Sequence, residues 1–148
     1  MGNLILIVDD DEVDQFMLER ALRGIGVLNP IRKLPDGNTA LHYLNGDPPY
    51  HDRTCYPFPG VIFLDLKMPR LTGFEVLEWL KTHPTFKSIP TIVLSSSDLQ
   101  SDIDKAYSLG ANAYLVKPAD VDDFRRVFAT TGQFFVELAE TPSPQALA

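Results

Sequence analysis

Four short apolar runs divide the chain: LILIV (4–8), VIFL (61–64), TIVL (91–94) and AYLV (113–116). Each is rich in β-branched or aromatic residues and unbroken by polar positions, the pattern of strands covered on both faces in a parallel sheet. A fifth run, IRKL (31–34), mixes polarities and suits a sheet edge. Between these runs the period changes. Val13, Met17 and Ala21 recur at i+4 with Phe16 alongside, Phe74, Leu77 and Leu80 form a second stripe, and Ile103, Ala106 and Tyr107 a third, stopped by Gly110. Val121, Phe124 and Phe128 mark a last helix starting near Asp120. TGFEVLEWL opens with Thr72 and Glu75 at the spacing of a capping box, and a further helix is expected over 37–45, between Asp36-Gly37 and Gly46. Strand followed by helix, five times over, predicts an α/β fold: an open, doubly wound, five-stranded parallel sheet.

The length of 148 residues favours one domain. We expect it to span 1–140, followed by a short disordered tail at 141–148. One connection is out of proportion. NGDPPYHDRTCYPFPG (45–60) is far longer than the roughly 2–6 residues usual in such units. It reads as a surface insertion or as a contact surface for a partner.

Charge narrows the partners. The formal net charge is −7, so direct nucleic-acid binding is not expected, because phosphate backbones need a basic footprint. Anionic membrane surfaces are disfavoured for the same reason, and no apolar run approaches the roughly 20 residues of a membrane helix. MGNLILIVDDD is too short and acidic for a signal peptide. The single cysteine, Cys55, has no internal partner for a disulfide, so a cytoplasmic location is expected. His42, His51 and His83 show no metal-ligand spacing.

In open α/β sheets ligands sit beyond the carboxyl ends of the strands. After LILIV come Asp9, Asp10 and Asp11; after VIFL comes Asp65; after TIVL comes Ser95; after AYLV comes Lys117-Pro118. Four acids, a hydroxyl and a lysine thus meet on one rim. Clustered carboxylates repel and call for a cation, and an all-oxygen ligand set suits Mg²⁺. Asp65 beside such an ion would be ionised and placed as a nucleophile towards phosphorus. The cation, the Ser95 hydroxyl and the Lys117 ammonium are the groups that phosphoryl transfer requires.

The same residues carry a resemblance. The pair Asp9-Asp10, the segment DLKMPRLTG around Asp65, LSSS with Ser95, and YLVKP with Tyr114 and Lys117 stand in order, each at a strand end. In this the chain resembles response-regulator receiver domains, whose fold is the flavodoxin-like (CheY-like) (βα)5 sheet. The likeness covers about residues 3–137. It implies that Asp65 accepts a phosphoryl group from the phosphohistidine of a sensor histidine kinase, and that Asp10, Asp65 and the Lys67 carbonyl ligate Mg²⁺ with Asp9 acting through water. It implies that Lys117 engages the phosphoryl group and that Ser95 and Tyr114 switch. The repacked face of helix four, strand five and helix five then docks partners or a second copy. It also implies a cis Lys117-Pro118 peptide. The long loop before strand three is similar to that of small single-domain regulators serving bacterial phytochromes, which pair through that face. The chain is then no enzyme beyond intrinsic self-dephosphorylation. Two details differ from the chemotaxis pattern: Lys67 follows the acceptor by two residues, and Ser95 replaces threonine.

A rival chemistry uses the same residues. DDDEV (9–13) satisfies the D-x-D-x-V motif of haloacid-dehalogenase-type phosphohydrolases, with Asp9 as nucleophile and Asp11 as acid. It leaves Asp65 unexplained. Asp11 has a simpler use as the cap of helix one.

Overall fold

The computed structural model describes residues 3–128. Five strands, β1 (Leu4–Val8), β2 (Ile31–Leu34), β3 (Pro59–Leu64), β4 (Thr91–Ser95) and β5 (Ala113–Val116), form one sheet in the order β2-β1-β3-β4-β5. Every pairing is parallel. The crossovers are α1 (Glu12–Gly24), α2 (Gly37–Asn45), α3 (Gly73–Thr82) and α4 (Gln100–Ser108), and residues 121–128 are helical after β5. The doubly wound sheet expected from the apolar runs is therefore present.

Side chains along a strand alternate between faces, and both faces of the central strands are covered. Leu4, Leu6, Val8, Ile62 and Leu64 pack with Tyr43, Leu44, Val76, Leu77 and Leu80 under α2 and α3. Ile5, Ile7, Val61 and Phe63 pack with Leu18, Leu22, Phe124 and Phe128 under α1 and the last helix. Full burial of each such side chain stabilises the fold by roughly 1.5–3 kcal/mol, and this fixes the strand ends that carry the polar rim.

The caps follow their chemistry. Thr72 and Glu75 form the expected capping box of α3, Asp36 accepts the Thr39 N–H at the start of α2, and Gly46 ends α2 in the left-handed region at φ +74°. Asp11 caps α1 by accepting the N–H groups of Val13 and Asp14.

Three expectations change. The buried face of α1 is Gln15, Leu18, Ala21 and Leu22, whereas Val13 and Phe16 are exposed by 65% and 54%. Leu18 and Leu22 enter the core with Ile5, Ile7 and Phe63, and Gln15 shares their face because its amide donates to the carbonyls of Asp9 and Leu34 at 2.7 and 3.0 Å. β5, read as covered on both faces, is instead the second edge of the sheet; Val116 is exposed, as is Tyr107, whose hydroxyl accepts the Tyr114 N–H. The Lys117–Pro118 peptide is not cis, and the cis bond among the described residues is Pro48–Pro49.

The segment before β3 is folded onto the domain. The rings of Tyr50 and Tyr56 pack on Tyr43, and the Arg53 guanidinium donates to the carbonyls of Tyr43, Leu44 and Tyr56 and lies over the Phe58 ring. The tail expected at 141–148 lies outside the described residues. Among the described residues no helix is long and apolar enough to cross a membrane.

Candidate functional site

The carboxyl ends of β1 and β3 lie side by side, in register from Val8 to Leu64. The next residues, Asp9 and Asp65, are therefore neighbours, and the Asp65 N–H donates to the Val8 carbonyl at 3.0 Å. Asp10 joins them: carboxylate oxygens of Asp9, Asp10 and Asp65 all lie within 4.8 Å of one another. Asp9 and Asp65 are buried and Asp10 is exposed, so the trio opens to solvent on one side.

β5 delivers the cation. The Lys117 N–H donates to the Ser95 carbonyl at 2.7 Å, holding the end of β5 against β4. From there the Lys117 ammonium reaches Asp9 Oδ2 at 2.8 Å and Asp65 Oδ2 at 3.5 Å, with only 9% of its side chain exposed. A third acid completes its shell: Asp14 Oδ2, on the first turn of α1, stands 2.8 Å from the same ammonium.

The electrostatics follow from burial with one cation among four carboxylates. Burial pushes Asp65 up to about 6; Lys117 opposes this and Asp9 reinforces it. Asp9 is raised for the same first reason, against hydrogen bonds from Lys117 and the Asp11 N–H. Burial works against the charge of Lys117, but hydrogen bonds to Asp14 and Asp9 and the charge of Asp65 hold it above its ordinary range. A divalent cation would relieve this excess of negative charge, and three carboxylates on a partly open rim are the donor set for such an ion.

The backbone around Asp65 is tightly set. A Cβ on Gly73 would stand 2.1 Å from the Asp65 carbonyl oxygen and 2.6 Å from the Leu66 Cα, so only glycine lets α3 start this close to the strand end. The Lys67 N–H approaches Asp65 Oδ1 at 3.4 Å, while its ammonium turns away to Asp102 Oδ2 at 3.4 Å. Asp102 in turn accepts the Ser97 hydroxyl at 2.6 Å.

Ser95 is fully buried at the end of β4, opposite Val116 in the register, and its hydroxyl accepts the Ser97 N–H at 3.2 Å. Tyr114 is half-buried, and its hydroxyl donates to the Ser97 carbonyl at 2.8 Å. Both thus meet the loop between β4 and α4 rather than the acids. Asp9, Asp10, Asp65 and Lys117 are brought together as expected. Asp14 and Gln15 are additions. The signal for Asp14 was a fourth aspartate within the six residues DDDEVD, which also reads as ordinary first-turn acidity.

The comparisons agree with this geometry. The response regulator receiver domain family matches residues 5–129. The response regulator Rcp1 of Synechocystis is 30% identical over 95% of this chain and 93% of its own, and the structure of its Mn²⁺-bound form superposes with a TM-score of 0.85 over 95% of this chain and 99% of that one. The phosphorylated cyanobacterial phytochrome response regulator RcpA is 31% identical, with a TM-score of 0.86 over 97% of this chain and 100% of that one. A response regulator in red light signalling of R. palustris is 33% identical, with a TM-score of 0.85 over 95% and 99% of the two chains. The phosphohydrolase alternative finds no support in these relatives, and Asp11, its required acid, is engaged as the helix cap. With its acids and lysine on the rim of a (βα)5 sheet, and with the family matched along nearly its whole length, the chain belongs to the response regulator receiver domains of two-component signalling, which are phosphorylated on aspartate.

Proposed function

We propose that Asp65 is the phosphoryl acceptor and that the donor is the phosphohistidine of a sensor histidine kinase of the phytochrome type. The observation that carries this is the meeting of Asp9, Asp10 and Asp65 within 4.8 Å under the Lys117 ammonium. An Asp65 Oδ atom attacks phosphorus, the P–N bond to the histidine breaks, and the imidazole leaves with its electron pair and takes up a proton. Asp9, Asp10, Asp65 and the Lys67 carbonyl would hold Mg²⁺, which supplies charge neutralisation for the transferred group. The Lys117 ammonium and the Ser95 hydroxyl complete the shell of donors.

Switching follows from what Ser95 and Tyr114 now hold. A Ser95 hydroxyl drawn to the phosphoryl group releases the Ser97 N–H, and the Ser97 carbonyl is the anchor of Tyr114. The exposed Leu99, Tyr107 and Val116 border this region, and we read them as the face on which a second copy docks. The receiver resets by self-dephosphorylation, water attacking the phosphoryl group, and catalyses no other turnover. A cytoplasmic location fits the free thiol of Cys55. The net charge of −7 speaks against direct contact with nucleic acid or an anionic membrane.

Incubation with Mg²⁺ and a small acyl-phosphate donor tests the assignment. Mass spectrometry should find one phosphoadduct, lost in Asp65→Asn and retained in Asp11→Asn; an adduct that survives Asp65→Asn would refute it. Beryllofluoride should shift sedimentation towards a dimer, and Tyr107→Glu should prevent the shift. Unchanged mass over a wide concentration range would remove the docking face.

A further inference from the structure

Lys117 has three ammonium protons to place, and three carboxylates compete for them. Its short contacts, both 2.8 Å, go to Asp9 and Asp14, and the contact to Asp65 is longer at 3.5 Å. Asp9 and Asp65 belong to the acid trio and would divide their oxygens between a metal ion and the lysine. Asp14 stands outside that trio. It is held on α1 by the Asp11 cap, which accepts the Asp14 N–H at 3.2 Å, and its carboxylate is only partly exposed, at 23%. A cation that drew Asp9 away would leave Asp14 as the remaining short partner of the ammonium.

We propose that Asp14 is a positioning residue for Lys117: it anchors the ammonium on the α1 side of the site and thereby limits how strongly the lysine engages the group carried on Asp65. The inference rests on the reading of Asp65 as acceptor. Any anion on Asp65 must compete with a charge-assisted hydrogen bond 2.8 Å long. Replacing the Asp14 carboxylate by a neutral amide of the same shape weakens that anchor and leaves more of the lysine to the phosphoryl group. The exchange of a charged for a neutral acceptor corresponds to roughly five- to tenfold in an equilibrium constant.

Two measurements on the full chain test it. In the metal-free protein, NMR of the Lys117 ammonium protons should show slow exchange with water in the wild type and in Asp14→Glu, and faster exchange in Asp14→Asn; unchanged exchange in Asp14→Asn overturns the anchor. At saturating Mg²⁺, Asp14→Asn should tighten beryllofluoride binding roughly five- to tenfold, Asp14→Glu should restore most of the wild-type affinity, and the gain should vanish in a Lys117→Ala background. A gain that persists without Lys117 would mean that Asp14 acts through general charge and overturns the proposal, as would no gain at all. Absence of beryllofluoride binding to the wild type would instead refute the acceptor reading, while the exchange measurement still decides whether Asp14 holds Lys117.

Discussion

The two ends of the sheet treat charge in opposite ways. At the amino end, cations meet neutral dipoles. Arg23 donates to the carbonyls of Val27 and Asn29 ahead of β2, Arg53 to those of Tyr43, Leu44 and Tyr56 ahead of β3, and Lys81 to Ile89 ahead of β4 and to Asn112 Oδ1 ahead of β5. These charges are used up in holding chain segments together. Tyr43 and Leu44 lie in the last turn of α2, where a cation also complements the helix dipole. At the carboxyl end, Asp9, Asp14 and Asp65 surround the ammonium of Lys117, and Asp10 adds a further carboxylate beside Asp9 and Asp65. There the charge is left in excess, and an excess of buried like charge is what makes a site responsive to ions. The same kinds of side chain thus serve as a clasp at one end and a receptor at the other, and the number of opposing charges decides which.

The sharpest contrast comes from removing one cation at each end. Arg53→Ala should destabilise the fold by about 2–3 kcal/mol, because carbonyls bonded to a charged donor lose it, and Mg²⁺ should not restore the loss. Lys117→Ala should cost about 1.5–3 kcal/mol without metal, and Mg²⁺ should recover much of it, since a divalent ion replaces the missing positive charge. Urea unfolding with chelator and with Mg²⁺ measures both. Equal Mg²⁺ rescue of the two variants would break the comparison.

A smaller effect is expected from pH. The carboxyl of Asp65 is raised from 3.8 to about 6 in the folded chain, so between those values the native state binds more protons than the unfolded state. The stability contributed by this protonation is full below 3.8 and is lost as pH rises through about 6. With chelator present, the contribution of Asp65 therefore falls across this window, and Asp65→Asn should flatten it. Mg²⁺ binding has the reverse trend and weakens as pH drops through about 6. Thermal unfolding and calorimetric metal titration over this range check the two signs.

The smallest effect belongs to the other end. Burial pulls Lys81 from 10.5 down to about 8. The unfolded chain binds more protons between those values, so the contribution of Lys81 to stability rises with pH through that window. Lys81→Met should remove the rise, as seen by comparing unfolding midpoints across the range. Its loss would leave metal binding at the carboxyl end unchanged.

Much of this was legible in the chain itself. The apolar runs marked every strand, and the residue following each run named Asp9, Asp65, Ser95 and Lys117, because a parallel strand must end where its backbone leaves the core. Caps such as Thr72–Glu75 and Asp11 were legible for a similar reason: they are local contacts over a few residues. The buried face of α1 was not. Val13–Met17–Ala21 and Leu18–Ala21–Leu22 have nearly the same helical period, and the second is the one that packs on β1 and β3, with Gln15 beside it bonding two carbonyls, one of them in β2. Nor did an apolar run reveal that β5 lies at an edge, since strand order is not written in strand composition.

The sequence by itself determined the alternation of strands and helices, the polar residue closing four of the five strands, and so the kind of chemistry on the rim. These depend on local periodicity and on what an apolar run can bury. Tertiary structure alone decided which charges share a partner. Asp14 and Lys117 are 103 residues apart and meet only because α1 and β5 are laid against the same strand ends. The electrostatics of the site depend on distances of 2.8 and 3.5 Å around one ammonium, and such distances exist only once the sheet has closed its order.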